Sequence, residues 1–218
     1  MSSSTVRRLK TLHAELGRCK TCPKMVRPVV HGPPIASPIM IVGQAPGPRE
    51  GGLGRPFAWT AGKTLFGWLR GPTGADEATL RERVYFSAVA RCFPGKAKGG
   101  GDRKPDPGEI LACRKWLRAE VEILAPKLVI PVGALAIDEI VGRDPQRKLD
   151  AIVGTTIEVT WHGVRCDVIP LPHPSGASTW HRREPGVSLL AKALRALGRH
   201  PAVVATFPPT KLAREPSR

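Results

Sequence analysis

The 218-residue sequence is short of acidic side chains. Its 18 aspartates and glutamates face 34 lysines and arginines, which leaves a formal net charge of +16. This imbalance argues against an ordinary neutral enzyme of small metabolites. It favours a polyanionic partner, because each lysine or arginine placed against a phosphate releases condensed counterions. Charge alone does not distinguish DNA, RNA and an anionic membrane surface.

Long apolar segments are also missing. No run of about eighteen apolar residues is present, so no membrane-spanning helix is expected, and the first residues do not resemble a secretory signal. We therefore expect a cytoplasmic monomer. Because 41% of the residues are apolar, the chain can bury a full core. We expect a single domain over residues 1–200 and a flexible tail over residues 201–218, which carries prolines and scattered charge.

Short apolar runs alternate with helical patterns along the chain. Three runs predict buried strands, and two more predict a hairpin (38–42, 84–89, 127–132, then 157–161 with 164–171). Helices are expected between and around them, over 6–18, 62–70, 107–124, from 134 and over 187–197. This alternation predicts an α/β fold with a mostly parallel sheet covered on both faces. The turns that follow the strands should then meet at one edge of the sheet.

Five cysteines in a cytoplasmic chain are more typical of metal ligands, catalytic groups or core residues than of disulfides. The Cys19-x2-Cys22 spacing places two thiols within reach of one metal, and Cys92 and Cys113 complete a set of four. Such a set suits zinc or a 4Fe–4S cluster, although unrelated core thiols fit the spacing equally well. Cys166 lies within a predicted strand, which favours a buried apolar role.

Two turns at the predicted edge carry the candidate chemistry. Gly43–Gly47 follows the first strand, and its glycines allow the backbone to approach a ligand closely. Phe57 lies on a Gly/Pro-rich loop and could stack on a planar ligand. His173 follows the last strand. A plain tight turn, a core phenylalanine and a structural histidine are the alternatives. The aromatic and basic side chains of residues 180–183 suit nucleic-acid contact.

Taken in order, these motifs resemble the uracil-DNA glycosylase superfamily, and most closely its iron–sulfur family 4. The resemblance spans residues 19–197. It rests on Cys19-x2-Cys22, Gly43-Gln44-Ala45-Pro46-Gly47, Gly54-Arg55-Pro56-Phe57 with Ala61-Gly62, Cys92, Cys113, residues 127–133 and His173-Pro174-Ser175.

The resemblance implies a three-layer α/β/α sandwich around a central, mostly parallel four-stranded sheet. It also implies a 4Fe–4S cluster, rather than zinc, on Cys19, Cys22, Cys92 and Cys113, which makes the N-terminal segment part of the single domain. Members of the family flip uracil out of DNA and hydrolyse its N-glycosidic bond, leaving an abasic site for base-excision repair. The expected partner is uracil-containing DNA, single- or double-stranded.

The resemblance and the local chemistry together give the expected site residues. Three are expected to be catalytic and six to bind uracil, with some in both sets; six more are expected to contact DNA. The catalytic set is His173, Glu50 and Gln44; the uracil-binding set is Gln44, Ala45, Gly47, Phe57, Ser87 and His173; the DNA-binding set is Ser175, Gly176, Trp180, His181, Arg182 and Arg183. Lysines of the long Gly/Lys-rich loop over residues 95–107 are further candidates for DNA contact.

The sequence departs from the family at three positions. Ala88 stands where many members have an asparagine that reads the uracil edge. Gln44 replaces the usual glutamate of family 4, and Ala45 stands where the best-known family has a water-activating aspartate. We therefore expect Glu50 to position water or screen the base, with a plain surface carboxylate as the alternative, and Ser87 or a backbone amide to replace the asparagine. Two other functions remain open: a glycosylase for hypoxanthine or xanthine, and a non-catalytic protein that binds damaged DNA.

Overall fold

The computed structural model of the chain describes residues 3–208. Within this range the helices are α1 (Ser3–Gly17), α2 (Glu50–Leu53), α3 (Thr60–Thr73), α4 (Glu77–Arg83), α5 (Pro107–Leu124), α6 (Ala134–Val141), α7 (Leu149–Ile152), α8 (Gly186–Arg199) and α9 (Pro201–Thr206). The strands are β1 (Ile39–Gly43), β2 (Tyr85–Ala88), β3 (Leu128–Pro131), β4 (Ile157–Trp161) and β5 (Val164–Val168). No helix among these is both long and apolar enough to cross a membrane.

The strands form one sheet in the order β2-β1-β3-β5-β4. The first four are parallel to their neighbours, and β4 pairs antiparallel with β5. The predicted α/β fold is confirmed. The sheet has five strands instead of the expected four, because both arms of the hairpin at residues 157–168 pair within it and the outer arm becomes an edge strand.

Helices cover both faces of the sheet, because side chains alternate between the faces along each strand. In β1, Ile39 and Ile41 pack into a core that α3 and α8 cover. Met40 and Val42 point the other way, into a core shared with α1 and α5. The result is the three-layer α/β/α arrangement, in which β1, β2 and β3 are buried along their whole length and the carboxyl ends of the parallel strands are left for a site.

The C-terminal segment corrects the expected boundary at residue 200. Pro201 opens α9, and the His200 side chain accepts a hydrogen bond from the Ala202 N–H, so the helix has a favourable first residue and a cap. Phe207 is buried in the same core as α8. A flexible tail is therefore wrong for residues 201–207, because their apolar side chains join the core. Residues 209–218 of that prediction lie outside the described residues.

Candidate active site

The carboxyl ends of three strands meet at one edge, as their polarity predicts. The Val89 N–H donates to the Gly43 carbonyl, which joins the end of β2 to the end of β1. The Val132 N–H donates to Val42, so β3 ends beside them. Beyond β5, Leu171 accepts a hydrogen bond from the Gly133 N–H. Since β3 lies between β1 and β5, these contacts place the turn after β1 and the turn before His173 on either side of the end of β3.

Phe57 forms one wall of this edge. A Cβ atom added to Gly43 would lie 2.7 Å from the Phe57 Cζ, so only glycine allows the ring to lie against the end of β1. Phe57 itself has a φ of 54°, a left-handed conformation that a bulky residue seldom adopts. Strained backbone of this kind persists only where the surroundings hold it, and it is frequent at functional sites.

Two residues, Arg81 and Gly62, hold Phe57 in place, a role that the sequence analysis did not predict for either. The Arg81 guanidinium donates hydrogen bonds to the carbonyls of Pro56 and Phe57, at 3.0 and 2.9 Å. Gly62 passes so close to the loop that an added Cβ would overlap the Phe57 carbonyl oxygen, at 1.7 Å. The loop backbone is therefore fixed from both sides. The spacing between Arg81 and Phe57 offers no sequence signal for this contact.

Glu50 was expected to position water, but the structure gives it another role. Its two carboxylate oxygens accept hydrogen bonds from the backbone N–H groups of Gly47 (3.1 Å) and Ala58 (3.0 Å). The side chain is buried, and burial raises its pKa. Glu50 therefore ties the turn after β1 to the loop that carries Phe57.

The turn after β1 presents backbone donors at the edge of the sheet. The Gln44 carbonyl accepts from the Ala90 N–H, which anchors the turn to the segment after β2. Within residues 3–208, the N–H groups of Gln44 and Ala45 have no acceptor. The Ala45 side chain packs toward the cysteine-lined core. The chain contains no asparagine. Gln44 is the one residue of this turn with a carboxamide side chain.

Ser87 does not reach this edge. It is fully buried, and its hydroxyl donates to the Glu120 carboxylate at 2.8 Å. Arg91 forms an ion pair with the same carboxylate, so the negative charge of Glu120 is neutralised on the α5 side of the sheet. Ser87 lies on that side because strand alternation turns it away from Phe86, whose ring lies 6.3 Å from the Phe57 ring. The expectation that Ser87 binds uracil is therefore wrong.

His173 faces the site from beyond the end of β5, on the other side of β3 from β1. Its ring packs on Gly133, where an added Cβ would lie 3.0 Å from the His173 Cδ2. The Ser175 N–H donates to the His173 Nδ1 at 3.2 Å, with the Ser175 hydroxyl 2.9 Å from the same nitrogen. Burial lowers the pKa of His173. The neutral ring, whose Nδ1 accepts, therefore carries its hydrogen on Nε2 and can donate it to a ligand.

Asp102 is a site residue that the sequence analysis overlooked. A Cβ added to Gly47 would lie 3.9 Å from the Asp102 Oδ2, and the Asp102 charge opposes the lowering of the His173 pKa. Its other oxygen accepts from the Lys96 ammonium at 2.6 Å. Arg103 holds the base of this loop by a two-pronged contact with Glu109. The long loop thus brings a carboxylate to the turn that lacks one.

Two residues of the loop after His173 already have partners within the protein. Trp180 packs against the core and donates its indole N–H to the Asp150 carboxylate at 2.6 Å. The His181 ring lies 5.0 Å from the Trp68 ring. Both aromatic side chains are therefore engaged within the protein. The remaining DNA-binding candidates are exposed, apart from Ser175, which holds His173: Gly176, Arg182 and Arg183.

Four of the five cysteines surround one cavity. Cys19, Cys22, Cys92 and Cys113 line a space of about 180 Å³ between the N-terminal segment and α5. Cys166 is instead buried in the core under α5, as its strand position predicts. Among the described residues, no three His, Cys, Asp or Glu side chains form a group that could hold a metal ion. The four thiols therefore share one cavity, and Cys22 lies within hydrogen-bond reach of Cys113.

The chemistry of this cavity suits a bound cofactor. Burial raises the pKa of Cys22, Cys113 and Cys92, the last to about 11, and neighbouring thiols add to the shift. The thiolate forms of such residues require a positive partner. Arg27 and Arg91 line the same space. The buried indole N–H of Trp116 has no oxygen acceptor among the described residues, and it lies close enough to Cys19 to lower the pKa of that thiol.

Comparison with known proteins agrees with this geometry. Residues 29–198 match the family model of the uracil DNA glycosylase superfamily. A Type-4 uracil-DNA glycosylase of Thermotoga maritima is 32% identical over 72% of this chain and 77% of its own length. A Type-4 uracil-DNA glycosylase of Pyrobaculum aerophilum is 31% identical over 77% of this chain and 83% of its own. A Type-5 enzyme of Thermus thermophilus is 29% identical over 61% of this chain and 72% of its own.

Proposed function

Because the chain belongs to the uracil DNA glycosylase superfamily, we propose that it excises uracil from DNA and leaves an abasic site for base-excision repair. One observation carries the proposal: the Phe57 ring and the neutral His173 imidazole flank the carboxyl ends of adjacent strands. This places a stacking surface beside a hydrogen-bond donor. A flipped base needs both, because its unstacking must be compensated in the pocket.

The leaving group is stabilised by fixed donors. As the bond between C1′ of the sugar and N1 of uracil breaks, both electrons pass to the base. The His173 Nε2–H donates to a uracil oxygen, and the free N–H groups of Gln44 and Ala45 lie at the adjoining turn. Preorganised donors of this kind typically contribute about 3–4 kcal/mol each. The Gln44 carboxamide, with one donor and one acceptor group, is suited to the edge of the base.

Asp102 is suited to hold the attacking water. The sugar develops positive charge as uracil leaves, and a carboxylate next to Gly47 stabilises that charge while it orients the water. The water oxygen bonds to C1′ and its proton passes to the Asp102 carboxylate, which returns it to solvent. Glu50 is less suited to this part, because its side chain is buried and both of its oxygens already accept backbone N–H groups. Asp102 thus fills the role that Ala45 leaves open.

We assign the four-cysteine cavity to a 4Fe–4S cluster on Cys19, Cys22, Cys92 and Cys113. The four thiols line one cavity, and four cysteine thiolates are the usual ligand set of such a cluster; the similarity to Type-4 uracil-DNA glycosylases favours it over zinc. The buried Arg91 and the Trp116 N–H supply charge and hydrogen bonding for an anionic cluster. When bound, the cluster joins the N-terminal segment to α5 and to the end of β2, and thereby stabilises the fold.

The cluster assignment predicts the metal content. Purified protein should contain about four iron and four inorganic sulfide per chain and absorb broadly near ~400 nm. Cys113→Ser should lose most of this absorbance, whereas Cys166→Ser, which alters a buried thiol outside the cavity, should keep it. Stoichiometric zinc in a colourless protein would exclude the cluster.

Phe57→Ala should weaken uracil processing by about 1–3 kcal/mol in kcat/KM, because the stacking wall is lost. Phe57→Leu, which keeps an apolar side chain without a ring, is the matched control and should lose nearly as much activity as Phe57→Ala. Single-turnover excision from a uracil oligonucleotide measures the activity of both variants. Equal activity of Phe57→Ala and the wild type would remove this residue from the pocket.

A panel of labelled oligonucleotides tests the proposed function. Strands with one uracil, thymine, hypoxanthine or xanthine, in single- and double-stranded form, are incubated with the protein and then cleaved at abasic sites by alkali. Cleavage at uracil with thymine spared is the expected result. Cleavage at hypoxanthine or xanthine alone would indicate another deaminated base, and binding without cleavage of any strand would indicate a damage-binding protein.

A further inference from the structure

An exposed indole beside the pocket has no role in the proposed chemistry. Trp59 lies two residues beyond Phe57, and 47% of its side chain is exposed. The Arg49 guanidinium carbon lies 4.8 Å from the centre of its ring, so the two side chains stack at the surface. An exposed tryptophan capped by an arginine on one side presents its other face to a ligand.

The backbone beneath this pair is fixed by Glu50. Arg49 directly precedes Glu50, and Trp59 directly follows Ala58, whose N–H donates to the Glu50 carboxylate. The carboxylate also accepts the Gly47 N–H. The same hydrogen bonds that shape the uracil turn therefore hold the Arg49–Trp59 pair. The backbone that carries the two side chains is therefore already ordered before a ligand stacks on Trp59, and preorganisation of this kind favours affinity.

The charge around Trp59 suits a nucleic acid. Residues 44–70 carry the exposed cations Arg49, Arg55, Lys63 and Arg70, and their single carboxylate, Glu50, is buried. Exposed cations on the same segment as an exposed aromatic ring are typical of proteins that hold single strands, because bases stack on the ring and the cations neutralise phosphates.

We propose that the Arg49–Trp59 pair binds an unpaired base next to the flipped uracil, and that the protein therefore favours single-stranded DNA. In a duplex the neighbouring base remains paired and stacked, so its face is not open to the indole. In a single strand that face is free. This inference rests on the proposed function for its substrate, and it adds the strand type and the residues that select it.

Binding measurements test the pair directly. Fluorescence anisotropy with a labelled uracil oligonucleotide, and with the same strand lacking uracil, gives Kd in single- and double-stranded form. Trp59→Ala should raise the single-strand Kd about tenfold and change the duplex Kd less than about twofold. Trp59→Phe should restore most of the affinity. Arg49→Gln should lower the slope of log Kd against log salt by about 0.7, one phosphate contact on a single strand.

Leu111→Ala is the matched control, since this side chain is 65% exposed on α5, which covers the other face of the sheet. It should leave both affinities unchanged. Equal effects of Trp59→Ala on single strands and duplexes, or no effect on either, would overturn the inference. A Trp59-dependent preference for single strands in a protein that never excises uracil would contradict the proposed function alone. Uracil excision by the wild type, together with Kd values that Trp59→Ala leaves unchanged, would contradict the inference alone.

Discussion

His173→Ala is expected to slow uracil excision by about 100- to 1000-fold while leaving the Kd for uracil DNA nearly unchanged. The imidazole is held neutral by burial and donates through Nε2 to charge that appears only as uracil leaves. An interaction made in the transition state changes the rate constant more than the affinity. Single-turnover excision and anisotropy on the same oligonucleotide separate the two.

Ser175→Ala is the control for this prediction. It removes one contact to the His173 Nδ1, but the Ser175 backbone N–H still donates to that nitrogen. The ring should keep its tautomer, and excision should fall by less than about tenfold. A His173→Ala protein that excises uracil at the wild-type rate would remove the imidazole from the mechanism.

Asp102→Asn should reduce the excision rate by about 100-fold or more, with the Kd for uracil DNA unchanged. The substitution keeps the shape of the side chain but removes the charge that orients water and balances the sugar cation. Asp102→Glu, which keeps the carboxylate, should recover part of the rate. Added formate should likewise restore part of the activity of Asp102→Ala, because a small carboxylate can occupy the vacated space.

Two variants separate this role from a structural one. Lys96→Gln breaks the ion pair with Asp102 but leaves its carboxylate, so the loss should be much smaller than that of Asp102→Asn. Lys98→Ala, in the same loop, controls for changes in loop charge. If Lys96→Gln and Asp102→Asn lost equal activity, Asp102 would act only through its ion pair with Lys96, which shapes the loop, and not on the water.

Local patterns predicted the sheet and the converging turns. Periodicity placed the five strands, and their parallel order then required the turns after Gly43 and Val132 to meet. Alternation could also have excluded Ser87, since a residue between Phe86 and Ala88 must point to the opposite face from both. The terminal helix α9 was missed because its six residues, rich in Pro, Ala and Val, resemble a tail until Phe207 is seen in the core.

The residues that complete the site were beyond the reach of local patterns. Asp102 arrives on a loop whose path depends on the Arg103–Glu109 contact and on the cap of α5. Arg81 lies 24 positions from the carbonyl of Phe57 that it binds. Trp59 differs from a core tryptophan only in its exposure. Each role depends on tertiary geometry, which propensity and spacing do not encode.

The hydrogen bonds of Arg81 limit which substitutions position 81 can accept. Arg81 lies on helix α4, outside the pocket. Its guanidinium donates hydrogen bonds to two carbonyls of the Phe57 loop and to the Glu77 carboxylate at the same time. A lysine offers a single ammonium in place of this fork and cannot serve all three acceptors. In a saturation scan selected for repair, position 81 should therefore be as intolerant as the pocket itself, while its exposed neighbours in α4 accept most residues.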